Sequence, residues 1–149
     1  MSNKTIAIGS DHAGFALKEN LKELLNELGI KFKDFGTTSV DSVDYTDYAQ
    51  KVSKEVSSGN FQLGILICAT GIGMSMVANR FKGVRAALVT NNLQAELARK
   101  HNKANVVIFG SKITSPSEAK VMLKIWLEAE FEGGRHERRI NKIDNICKE

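Results

Sequence analysis

Apolar residues along the chain fall into short unbroken runs separated by longer stretches with helical spacing. The runs are Thr5-Ile6-Ala7-Ile8-Gly9, Ile30 to Phe35, Leu63 to Cys68, Val84 to Thr90 and Val106 to Phe109. Each has strand length and is bounded by turn residues or by a helical pattern. After the first run, Leu17, Leu21, Leu24, Leu25 and Leu28 recur at i, i+4, i+7, i+8 and i+11, which predicts an amphipathic helix stopped by Gly29. Ala49, Val52 and Val56 predict a second helix, entered through Tyr45 and Tyr48 and closing near Gly59. Met76, Val77, Ala78 and Arg80 mark a third, and Leu93, Leu97 and Ala98 a fourth that begins near Asn91 or Asn92. Ser115-Pro116-Ser117-Glu118 has the spacing of a capping box, with the only proline at the first helical position. The fifth helix then carries Val121, Met122, Ile125, Trp126, Ala129 and Phe131 as far as Gly133-Gly134. Strands alternating with helices predict a three-layer α/β/α, Rossmann-like (flavodoxin-like) domain around a five-stranded parallel sheet.

The pattern does not stop when that sheet is covered. Arg135 to Glu149 repeats helical spacing with Ile140, Ile143 and Ile146/Cys147. An additional amphipathic arm after a Gly-Gly hinge is expected to pack on a second subunit, so the expected assembly is a homodimer or homotetramer. Residues 1–149 read as a single domain, long enough to bury a substantial core.

Composition narrows the classes of function. The net charge of +4 is modest and its basic residues are spread over helices, apart from a cluster at Arg135, Arg138 and Arg139. This suggests a local anionic ligand and argues against a nucleic-acid track. Two distant cysteines, with no secretory or membrane-spanning segment, suggest free thiols in a reducing cytoplasm and no membrane partner. No CxxC or HExxH spacing occurs, so no structural metal is expected.

The chemistry gathers where strands end. Leu63 to Cys68 runs into Ala69-Thr70-Gly71-Ile72-Gly73, a tight turn at the carboxyl end of a strand, where parallel sheets bind ligands. Gly71 and Gly73 permit several N–H groups to converge on one oxygen, and the same partial positive charge favours a Cys68 thiolate. Cys68 as a small buried apolar residue, with glycines that merely turn the chain, explains the same window. Asp11 and His12 follow the first strand on the same edge; a helix cap and a solvated loop residue are their ordinary roles. The polar loop from Gly36 to Asp44 is long enough to be functional, and Tyr45 beside it could reach a ligand. His101 and Asn102 end the fourth helix, where a cation and an αL residue are common. Arg135 and Arg139, four apart, could grip a phosphate together, although an exposed charged face explains such a pair as well.

Taken in order, Gly9-Ser10-Asp11-His12-Ala13-Gly14-Phe15, Asp44-Tyr45, Gly64 to Gly73, Gly83-Val84-Arg85-Ala86, His101-Asn102, Asn105-Val106, Gly110-Ser111 and Phe131 to His136 resemble one family. It is the ribose-5-phosphate isomerase B and galactose-6-phosphate isomerase subunit group, and the resemblance spans nearly the whole chain. It implies aldose–ketose isomerisation of a sugar phosphate, ribose 5-phosphate to ribulose 5-phosphate first, through a cis-enediolate with neither metal nor organic cofactor. By resemblance Cys68 is the general base, and the N–H groups from Thr70 to Gly73 form the oxyanion pocket. His101 and Thr70 open the furanose ring, while Asp11, Tyr45 and Asn102 hold sugar hydroxyls. His12, Lys112, Arg135 and Arg139 take the phosphate, the arginines reaching in from a partner subunit. Another branch of the family carries a glutamate base at the position of Met74; here the cysteine is present and Met74 accepts no proton. Ala69, Thr46 and Lys112 depart from the commoner glycine, proline and arginine, and Lys112 keeps attraction for phosphate without bidentate geometry.

Three other readings compete. A hexose-6-phosphate isomerase, for allose 6-phosphate or as a galactose-enzyme subunit, uses the same residues. A phosphoacceptor receiver module would place Asp11, Thr90 and Lys112 at strand ends, but it needs an aspartate where Cys68 stands. A flavin or dinucleotide module lacks its glycine fingerprint in the first turn.

Overall fold

The computed structural model describes residues 4–147, so Met1 to Asn3, Lys148 and Glu149 lie outside the described residues, as does the side chain of Cys147. The chain runs β1 (Thr5–Ser10), α1 (Phe15–Glu27), β2 (Lys31–Asp34), α2 (Tyr45–Ser57), β3 (Leu63–Cys68) and α3 (Ile72–Ala78). It continues through β4 (Ala86–Leu88), α4 (Asn92–Lys100), β5 (Val106–Gly110), α5 (Pro116–Glu128) and α6 (Arg135–Asp144) to a single 3₁₀ turn, Asn145–Cys147. Every strand pair is parallel and the sheet order is β2-β1-β3-β5-β4. The five-stranded α/β sheet expected from the runs is therefore present.

Alternation along each strand supplies two cores. Ile6, Ile8, Ile65, Ile67, Val107 and Phe109 face the leucines of α1 and the inner residues of α4 and α5. Ala7, Leu66, Cys68, Val106 and Ile108 face Ala49, Val52 and Val56 of α2 and Met74 and Ala78 of α3. Central β3 is buried along its whole length, as a strand covered on both faces must be. Each fully buried Leu or Ile, such as Leu21, Leu25 or Ile65, contributes about 1.5–3 kcal/mol.

Helix starts follow their signals. Asn91 caps α4 by accepting the Gln94 N–H, and Ser115 with Glu118 closes the capping box on α5. Several ends differ from expectation. β4 is three residues long because side chains take the bonds a longer strand would use: Asn79 binds both the N–H and the carbonyl of Ala86, and Asn105 Oδ1 accepts the Arg85 N–H. α5 stops at Glu128, where Ala129 turns extended. The αL residue after α4 is Lys103, with φ 46°, not Asn102.

The arm is seated on the described chain. α6 rests on its own chain: Ile140 and His136 are buried, and Asp144 pairs with Arg85 at 2.9 Å. Ile143 and Ile146 stay exposed, so a wet apolar edge remains on an element already docked. No described helix is long and apolar enough to cross a membrane.

Candidate active site

The sheet order reverses between β1 and β3, and there the strands end side by side: Ser10 lies opposite Ile67, and Cys68 opposite Gly110. Parallel sheets open their ligand crevice at this point. Cys68 is buried on the α2/α3 face, and its Sγ accepts the Gly71 N–H at 3.2 Å. The sulfur therefore meets the turn, with a backbone dipole aimed at it. Gly71 has φ 82°, and a Cβ there would stand 2.4 Å from Leu88 Cδ1, so conformation and space both require glycine. The Ile72 N–H bonds to Thr70 Oγ1 at 3.3 Å. Since the Ser75 N–H makes the first bond back to Gly71, the N–H groups of Gly73 and Met74 precede the helical ladder. Two of the donors expected to line an anion pocket are thus engaged within the turn itself, the Gly71 N–H by the thiol and the Ile72 N–H by Thr70. Tyr45 lies over Gly73, its ring filling the place of a Cβ, and Met74 is fully buried.

Neighbouring loops complete this edge. Asp11 is buried; it is not the cap of α1, since Gly14 occupies that position, and its Oδ1 accepts the Gly14 N–H at 3.0 Å. His12 Nδ1 accepts the Val43 N–H at 3.1 Å, which leaves the imidazole proton on Nε2 and shows what the long loop does. Ser111 and Lys112 donate their N–H groups to the Cys68 and Ala69 carbonyls at 2.9 Å, setting exposed Lys112 beside the turn. Asp11, His12, Tyr45, Cys68, Thr70, Gly71, Gly73 and Lys112 thus share one edge of the sheet.

The remaining predicted residues do not join them within the chain. α4 runs down from the carboxyl edge and releases His101 and Asn102 where β5 begins, whereas Cys68 lies level with the last residue of β5. The four steps of β5 between those levels span about 13 Å. His101 instead stacks on His136, ring centroids 4.2 Å apart and 10° from parallel, with Glu132 Oε1 at 3.5 Å and 3.6 Å from the two Nε2 atoms. Burial lowers the pKa of His136, and adjacent His101 and Arg135 push the same way. Arg135 and Arg139 are exposed on α6. Arg85 binds this half together, donating to the carbonyls of Asn102 at 3.1 Å and Lys103 at 3.0 Å and to both Asp144 oxygens at 2.9 Å. Sequence reading missed Glu132 and His136 as neighbours of His101, since only their four-residue spacing hints at a shared site.

A doubly wound sheet with a thiol, backbone donors, an aspartate and a histidine at its switch point defines an α/β domain whose crevice carries groups of the acid–base type. The chain matches the Ribose/Galactose Isomerase family model over residues 6–143 and belongs to that family. It is 43% identical over 143 residues to ribose-5-phosphate isomerase B of Escherichia coli, covering 96% of each chain. It is 46% identical over 141 residues to a putative sugar phosphate isomerase of Bacillus subtilis, covering 94% of this chain and 95% of that one. The structure of ribose-5-phosphate isomerase B from Mycoplasma genitalium, solved with bound ribulose 5-phosphate, superposes with a TM-score of 0.96 at 42% identity, covering 100% of this chain and 99% of that one. A receiver or dinucleotide module is thereby set aside.

Proposed function

We propose that this protein interconverts ribose 5-phosphate and ribulose 5-phosphate, with Cys68 as the base. The Cys68 thiolate takes the proton from C2 of the open-chain aldose, the C–H electron pair forms the C1–C2 double bond, and the carbonyl pair moves onto O1. The sulfur then returns the proton to C1 while the O2 proton passes to the O1 oxyanion, leaving a C1 hydroxyl and the C2 carbonyl. Developing charge on the enediolate oxygens meets the N–H groups of Gly73 and Met74, which precede the helical ladder and need no reorganisation during the reaction. Asp11, Tyr45 and Asn102 hold hydroxyls, and His101 with Thr70 opens the ring. His12, through Nε2–H, and Lys112, Arg135 and Arg139 hold the phosphate.

One observation supports the reading most: a buried cysteine aimed at backbone donors in the switch-point crevice, Sγ 3.2 Å from the Gly71 nitrogen. The placement of His101, Asn102, Arg135 and Arg139 at the other edge supports a second part. A homodimer in which one chain offers the Cys68 edge and its partner the His101 and arginine edge assembles the complete set, twice, around a two-fold axis.

The test is turnover of ribose 5-phosphate by purified protein, followed in deuterated water. Wild-type protein exchanges the C2 proton and forms ribulose 5-phosphate; Cys68→Ala folds, binds the sugar phosphate and loses about 10²- to 10⁴-fold in kcat together with the exchange. Exchange retained by Cys68→Ala removes it from the base position. Faster turnover of allose or galactose 6-phosphate than of ribose 5-phosphate overturns the pentose assignment.

A further inference from the structure

We infer that His101, Glu132 and His136 form a site for a divalent transition metal, best suited to Zn²⁺, and that filling it switches the enzyme off by occupying His101. The regulatory half rests on the isomerase reading above; the metal site itself does not. The three ligand atoms lie within 4.8 Å of one another. Tetrahedral bonds of about 2.0–2.1 Å separate neighbouring ligand atoms by about 3.3 Å. The two nitrogen-to-oxygen edges, 3.5 Å and 3.6 Å, already approach that figure, yet both are too long to be hydrogen bonds.

His136 supplies the independent sign of a missing ligand. It is buried, with 6% of its surface exposed, and its Nε2 has no hydrogen-bond partner. Buried nitrogens are rarely left so. The Glu132 side chain is 49% exposed, giving an ion a path from solvent, and two imidazoles with one carboxylate select a borderline ion over Mg²⁺ or Ca²⁺. The near-parallel rings must splay before both lone pairs converge, and half-exposed His101 is the one able to turn. Arg135 and Arg139, whose charges act on His136, repel a dication and weaken its binding, which suits a reversible inhibitor better than a resident ion.

The experiment is calorimetric titration of the intact protein with ZnCl₂, with Co²⁺ as the spectroscopic probe, alongside the isomerase assay. The expected result is one ion per chain, ligand-field absorption of Co²⁺ bound to nitrogen and oxygen, and inhibition at the same midpoint, reversed by EDTA. Glu132 is exposed, so Glu132→Gln folds; it weakens binding at least tenfold and moves the inhibition midpoint equally. Cys68→Ala binds Zn²⁺ unchanged. Binding indifferent to Glu132→Gln, binding lost in Cys68→Ala, or none at 100 μM Zn²⁺ overturns the site. Full activity at saturating Zn²⁺ overturns the switch. A protein that binds Zn²⁺ through Glu132 but isomerises no sugar phosphate upholds the site and refutes the isomerase reading.

Discussion

The ring of Tyr45 stands where a side chain at residue 73 would go, 2.4 Å from an added Cβ, and the same distance separates an added Cβ at Gly71 from Leu88. The two glycines nevertheless answer to different constraints. Tyr45 is exposed and can swing, so Gly73→Ala changes stability by less than about 1 kcal/mol in equilibrium unfolding while raising KM through the displaced ring. Gly71 combines positive φ with a packed neighbour, so Gly71→Ala costs about 1–3 kcal/mol for the backbone alone and also lowers kcat, since the N–H facing Cys68 moves. At this scale the turn after Cys68 was legible because an apolar run followed by two glycines marks a strand end, but the run explains a buried cysteine equally well and the base role came only from the family resemblance. His136, Glu132 and Lys18 were not legible. Their importance lies in contacts between segments far apart in the chain, and no spacing rule encodes those.

Among the elements, the buried Lys18 of α1 matters most to the site loops. Lys18 Nζ is 2.5 Å and Lys22 Nζ 2.9 Å from Asp34 Oδ2, and Asp34 Oδ1 accepts the Gly36 N–H at 2.8 Å. Gly36 opens the loop that reaches His12 through Val43, so an ion pair beneath the sheet edge holds a proposed phosphate ligand from behind. Burial alone would raise the Asp34 pKa, but hydrogen bonds from Lys18, Lys22 and Gly36 outweigh it and hold the carboxyl below its ordinary value. A carboxyl lowered in the folded state contributes stability that is present above its unfolded pKa, near 4, and is lost as pH falls through the folded value. Urea unfolding from pH 7 to pH 2 shows this as an acid limb. Asp34→Asn flattens that limb and, by leaving buried Lys18 only the half-exposed Glu19 carboxylate at 3.6 Å, costs on the order of 2–3 kcal/mol at pH 7, below the range for a fully buried pair because Asp34 keeps 23% of its side-chain surface in water. Helix starts at Asn91 and Ser115 were readable because capping is local. The start of β4 was not, because Asn79 and Asn105 reach Ala86 and Arg85 from outside the strand.

For the molecule as a whole, the division of the proposed site between opposite sheet edges makes a quantitative statement. Cys68→Ala and His101→Asn chains are each inactive alone, but every mixed dimer regains one intact site. A statistical mixture then reaches about one quarter of wild-type activity, half of the dimers with half of their sites. No recovery on co-expression would place both halves of the chemistry within one chain. The sequence pattern yielded the sheet, its order of elements and the existence of an extra arm. It could not reveal that the arm lies against its own body, because an amphipathic helix is equally at home on either chain.

That seating has a kinetic meaning. Ile140 and His136 are tucked in and Arg85 clasps Asp144 before any second copy arrives. In the proposed homodimer two surfaces already ordered would meet, so α6 adds no ordering cost to the encounter. The homodimer proposed above is therefore expected to form at the ordinary pace of rigid proteins, about 10⁵–10⁷ M⁻¹s⁻¹, and to exchange partners without unfolding, which a subunit-exchange experiment checks.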